Sequence, residues 1–128
     1  MNRQVLLGAS KDRLAAALEI LFASVDAYAP FDPARRYTPK DREPYDALTD
    51  RYLRAFESSL KFFRTLERFR EVAPSESLRD LLQRMEKYGV ITGAALWIEM
   101  RDTRNRIAHE YLPEELARIY ADIVGPAA

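Results

Sequence analysis

Cysteine is absent from this chain of 128 residues, which excludes disulfides and thiolate metal sites. Histidine occurs once, at His109, and that argues against a histidine-rich zinc or iron centre; neither a metal nor a cofactor is expected. An excess of either charge is also missing, because twenty Lys and Arg balance twenty Asp and Glu. A general nucleic-acid coat protein is usually basic, so the balance counts against that class. It leaves room for a local cationic cleft, where the field depends on nearby charges. Long hydrophobic runs are lacking too. The stretch VLLGA at 5–9 is far too short for a membrane span, and Lys11, Asp12 and Arg13 follow it where a signal peptide would not carry them. A cytoplasmic protein with no membrane partner is the expectation.

Apolar side chains are plentiful: 48% of residues are hydrophobic and 11% aromatic, enough for a packed core in one domain spanning 1–128. Strand-like alternation is wanting, and helical spacing recurs throughout. Residues 1–9 read as a lead-in, and Ser10 as the cap of a first helix reaching about Tyr28, with Leu14, Leu18, Leu21 and Val25 on one stripe. Pro30 and Pro33 end it. The segment 29–43, with Arg35, Arg36, Lys40 and Arg42, reads as a connection; it can present basic groups to phosphates, but Asp32, Asp41 and Glu43 favour a solvated linker. Pro44 suits the first turn of a long second helix to about Val72. Its seam runs through Tyr45, Leu48, Tyr52, Ala55, Ser59, Phe62, Leu66 and Phe69. On another face, Asp50 and Arg54, and Glu57 and Lys61, stand four apart as ion pairs.

A third helix over about 76–88 takes Ser77 as its cap, and Thr92 is placed to cap the fourth. Pro113 opens a short last helix with Leu116, Ile119, Tyr120 and Ile123. The expected architecture is all-α, a four-helix up-and-down bundle with a short additional C-terminal helix.

The stretch from Ala94 to Tyr111, AALWIEMRDTRNRIAHEY, carries the chemistry-bearing pattern R-N-x-x-x-H-x-Y. Each residue has an ordinary explanation: a histidine near a helix end bonding terminal carbonyls, an arginine paired with Asp102, Glu99 or another helix, a packing tyrosine. The combination points elsewhere. Cleaving RNA without a metal needs a group to take the 2′-hydroxyl proton, a cation for the phosphorane and an acid for the leaving oxygen. Imidazole titrates near neutrality and guanidinium matches phosphate with two parallel hydrogen bonds. On an ideal helix Arg104 and His109 lie roughly 140° apart. They can share a site at a helix edge, at a distorted helix end, or across two molecules. A symmetric dimer would also supply a second histidine.

RNRIAHEY resembles the R-x4-H motif of the HEPN superfamily, in its HepT-like form with the added H-x-Y. LWIEMRDTRN resembles the related substrate-binding partners of minimal nucleotidyltransferases. The close likeness covers about Leu96 to Tyr120. It implies a metal-independent endoribonuclease toxin acting as a homodimer on RNA, with Arg104 and His109 catalytic and Asn105 supporting. It further implies a minimal nucleotidyltransferase antitoxin as partner, with Tyr111 the position that receives AMP. The alternative it implies is a non-catalytic nucleotide- or substrate-binding subunit of such a nucleotidyltransferase.

Overall fold

The computed structural model describes residues 2–109 and 112–127. Five helices follow in order: α1 Arg3–Asp26, α2 Pro39–Phe69, α3 Leu78–Lys87, α4 Ala94–Ile107 and α5 Pro113–Ala127. The described residues contain no strand, so the chain is all-α, and none of these helices is long and apolar enough to cross a membrane.

Two helix starts lie earlier than the sequence suggested. The first helix begins at Arg3, because the Asn2 side chain accepts the Val5 N–H at 2.8 Å; residues 3–9 are helix, and Ser10 is buried within it rather than capping it. The second begins at Pro39, not Pro44. Thr38 and Asp41 form a reciprocal capping box, with the Asp41 N–H donating to Thr38 Oγ1 at 3.1 Å, and Pro39 takes the first helical position. Pro44 therefore sits inside the helix and forgoes the ladder bond that would reach residue 40. Loss of the box should be measurable: Thr38→Ala is expected to lower stability by about 1 kcal/mol in a urea titration.

Helix α2 is the spine. It runs antiparallel to α1, with the Arg3–Glu71 ion pair at one end; at the other, Arg51 Nη1 donates to Ile20 O at 3.2 Å and Ser24 Oγ at 2.8 Å. One half of its seam, with Tyr45, Leu48 and Tyr52, buries Ile119, Tyr120 and Ile123 of α5. The other half, Phe63 and Leu66, receives Leu81, Leu82 and Met85 of α3. At 15 residues, α5 is a full core helix rather than a short appendage. Phe69 departs from the expected seam and lies 40% exposed.

A carboxylate fixes how α3 joins this spine. Glu67, 1% exposed, accepts from the Ser75 hydroxyl and from Arg84 Nη1 at 2.6 Å, while the same Arg84 nitrogen reaches Ala73 O at 2.7 Å. The turn at 70–77 is thereby folded over the end of α2. Along the opposite side of the spine α1 and α4 stand apart. Between them an apolar groove of about 500 Å³ is floored by Phe56 and Phe63 and walled by Leu18 and Trp97. Phe22, Val90 and Leu96 at its edges are 40–43% exposed.

Candidate functional site

Helix α4 starts at Ala94 after Gly93, whose extended backbone supplies no side-chain cap; Thr92 does not act as one. Glu86 of α3 serves instead, its Oε1 accepting the Ala94 N–H at 2.9 Å, and a carboxylate there also complements the positive end of the helix. Downstream, Tyr52 donates its hydroxyl to Met100 O at 2.6 Å and ties the middle of α4 to the spine. The Phe63 and Trp97 rings meet edge-on with centroids 5.1 Å apart. These contacts set the level at which the polar end of α4 emerges.

The helix ends at Ile107, earlier than a continuous run to Tyr111 would require. Ala108 is its C-cap, and the His109 N–H turns back to Arg106 O at 3.1 Å. Pro113 disfavours helical geometry at the residue before it, which helps explain why α4 and α5 do not merge. His109 thus lies just past the last helical turn, at a tightened helix end. Arg104, Asn105 and His109 line one cleft of about 560 Å³, closed on the α2 side by Leu53. Asn105 and His109 are exposed, and the Arg104 side chain is 40% exposed. Tyr111 lies outside the described residues.

Charge in the cleft is arranged by partners from the bundle. Arg104 Nη2 lies 2.7 Å from Glu57 Oε1 of α2, close enough to pair in charge but not aligned as a hydrogen bond. Glu57 therefore turns to Arg104 rather than to Lys61, whereas Arg54 and Asp50 pair along α2 as expected. Arg106 is engaged by Asp122 of α5 and by Thr103 Oγ1 at 3.3 Å, so Arg104 is the arginine directed into the cleft. The Asn105 side chain has no hydrogen bond among the described residues. Glu57 and Leu53 were not anticipated as site residues. Glu57 lies 47 positions before Arg104, and only the packing of α4 on α2 brings them together. The arrangement puts an imidazole, a carboxamide and a guanidinium around one solvent-accessible space. That set can move a proton and hold an oxyanion.

In the core, burial pushes the Tyr52 phenol up to about 12, and burial together with neighbouring Tyr37 does the same for Tyr45. Both are raised above the ordinary value of 10.0. The stability these groups contribute is therefore fully present below pH 10 and falls as pH rises from about 10 through about 12. Absorbance titration at 295 nm should show these tyrosines ionising last, together with loss of helicity. Comparison of the chain with protein-family models, with curated proteins and with solved structures found no match.

Proposed function

We propose that this protein is a metal-independent endoribonuclease of the HEPN type, the toxin of a HEPN–nucleotidyltransferase pair. The observation that carries the reading is the single cleft shared by Arg104, Asn105 and His109. In the proposed reaction a ribose 2′-oxygen attacks the adjacent phosphorus while its proton leaves to a base. The bond to the 5′-oxygen breaks, that oxygen gains a proton, and a 2′,3′-cyclic phosphate remains. His109 serves proton transfer, Arg104 carries charge on the phosphorane, and Asn105 orients substrate. A homodimer would supply a second imidazole from the partner copy. Four of the five helices would then form an up-and-down bundle with one additional helix, and Tyr111 would receive AMP from a minimal nucleotidyltransferase.

The Arg104–Glu57 pair favours one second reading, a non-catalytic nucleotide- or substrate-binding subunit of that nucleotidyltransferase, because a cation neutralised by a carboxylate is poorer at stabilising a transition state. Induced expression separates the two. Wild type is expected to arrest growth and degrade RNA, and His109→Ala to do neither. Co-expression with an active nucleotidyltransferase should silence wild type but not Tyr111→Phe. Equal growth of wild type and His109→Ala, with intact RNA, would reject the nuclease.

A further inference from the structure

The basic connection between α1 and α2 has no part in that chemistry, yet it faces a second cavity. A space of about 580 Å³ lies on the α1 side of α2, lined among others by Tyr28, Arg35, Lys40, Asp41 and Arg51. Its volume falls in the range of about 300–1,000 Å³ usual for small-ligand sites. Arg51 and Leu53 stand two positions apart on α2, roughly 200° around the helix, so this cavity and the Arg104–His109 cleft open on different faces.

The charges are unbalanced. Three cations meet one carboxylate here, in a chain whose net charge is zero. Asp41 lies 3.5 Å from Arg35, and both are well exposed, so that pair is weak and open to exchange. Neither Lys40 nor Arg51 has a carboxylate partner among the described residues. Arg51 is held instead by neutral acceptors, Ile20 O and Ser24 Oγ, through one nitrogen. Its half-buried guanidinium is thus fixed in place while its charge stays uncompensated. Arg35 is fixed as well, its guanidinium carbon 4.6 Å from the centre of the Tyr37 ring. Phe31 stacks on that ring at 4.5 Å, so Tyr37 serves to hold Arg35 rather than to stack a ligand.

From this we infer that the cavity binds a small polyphosphate through Arg35, Lys40 and Arg51. Two or more linked phosphates match three separated cations better than one, and guanidinium groups grip phosphate oxygens in pairs. The recognised chemistry is the phosphate chain, which can come free or as the tail of a nucleoside triphosphate.

Calorimetric titration of the full chain at low salt, with sodium pyrophosphate, ATP and citrate in separate arms, tests this. Pyrophosphate or ATP is expected to bind, and citrate at least tenfold more weakly. Comparable affinity for the first two assigns free polyphosphate, whereas a tenfold preference for ATP assigns the nucleoside triphosphate. Arg35→Gln/Lys40→Gln, both exposed, should weaken binding at least tenfold with unchanged helicity. Arg51→Met should do the same, checked by circular dichroism because it also tethers α1. No binding at millimolar ligand, or full affinity in the double variant, overturns the inference. So do amide shifts confined to residues 104–109, which would place the ligand in the other cleft. The outcome is independent of nuclease activity, because binding is read without RNA.

Discussion

In EDTA the purified chain is expected to cleave single-stranded RNA and leave 2′,3′-cyclic ends, while Arg104→Ala and His109→Ala each lose about 10²–10⁴-fold in rate. The two effects have different origins. Removing the imidazole deletes a proton carrier and should lower kcat. Removing the guanidinium deletes the charge that opposes the phosphorane and should lower kcat at every pH. Both side chains are solvent-accessible at the end of α4 and outside the two core clusters, so neither change should alter helicity. Glu57→Gln is expected to act in the opposite sense. It takes away the carboxylate 2.7 Å from Arg104, which substrate phosphate must otherwise displace, and KM should fall. A slower Glu57→Gln enzyme would mean that the carboxylate positions Arg104 rather than competes for it. Cleavage by either alanine variant at the wild-type rate would remove that residue from the mechanism.

Arg84→Met is expected to be the most destabilising single change near the surface, costing about 3 kcal/mol. Breaking a buried ion pair by removing one partner typically costs about 3–5 kcal/mol, because the remaining charge is left without compensation. Here the stranded group is Glu67, 1% exposed; the low end applies because the Arg84 side chain is 32% exposed and water can partly replace it. The same change frees Ala73 O and loosens the turn that carries the chain into α3. Urea unfolding of wild type, Arg84→Met and Arg84→Met/Glu67→Leu separates the contributions. Removing both partners should recover much of the loss, since no charge is then left buried. If Arg84→Met unfolds at the wild-type midpoint, Glu67 is held by Ser75 alone.

Local signals in the sequence were sufficient wherever a helix is decided by its own residues. Ser77 caps α3 and Pro113 opens α5 as their types suggest, and the Tyr45–Tyr52–Ala55–Ser59 seam is buried as its spacing requires. The misplaced starts were choices between equally good local options. Thr38 and Pro39 form as valid an opening as Pro44, and Asn2 as valid a cap as Ser10; the Asn2 cap and the Thr38–Asp41 capping box start the longer helices. At the candidate site, the residue types were legible but their juxtaposition was not. An ideal helix separates Arg104 from His109 by angle alone, yet both line one cleft at the end of α4. Glu57 was assigned to Lys61 by the four-residue rule, which takes no account of a cation arriving from another helix.

The apolar groove between α1 and α4 has a practical consequence for handling the protein. Environment-sensitive dyes such as anilinonaphthalene sulfonate report unfolding because loosely packed states expose apolar surface to them. Here the native fold already offers that surface, floored by Phe56 and Phe63 and edged by Phe22, Val90 and Leu96. Fluorescence will therefore start high in the folded protein and change little on heating. A flat dye-based melting curve will not mean a molten sample, and circular dichroism should be used to follow unfolding instead.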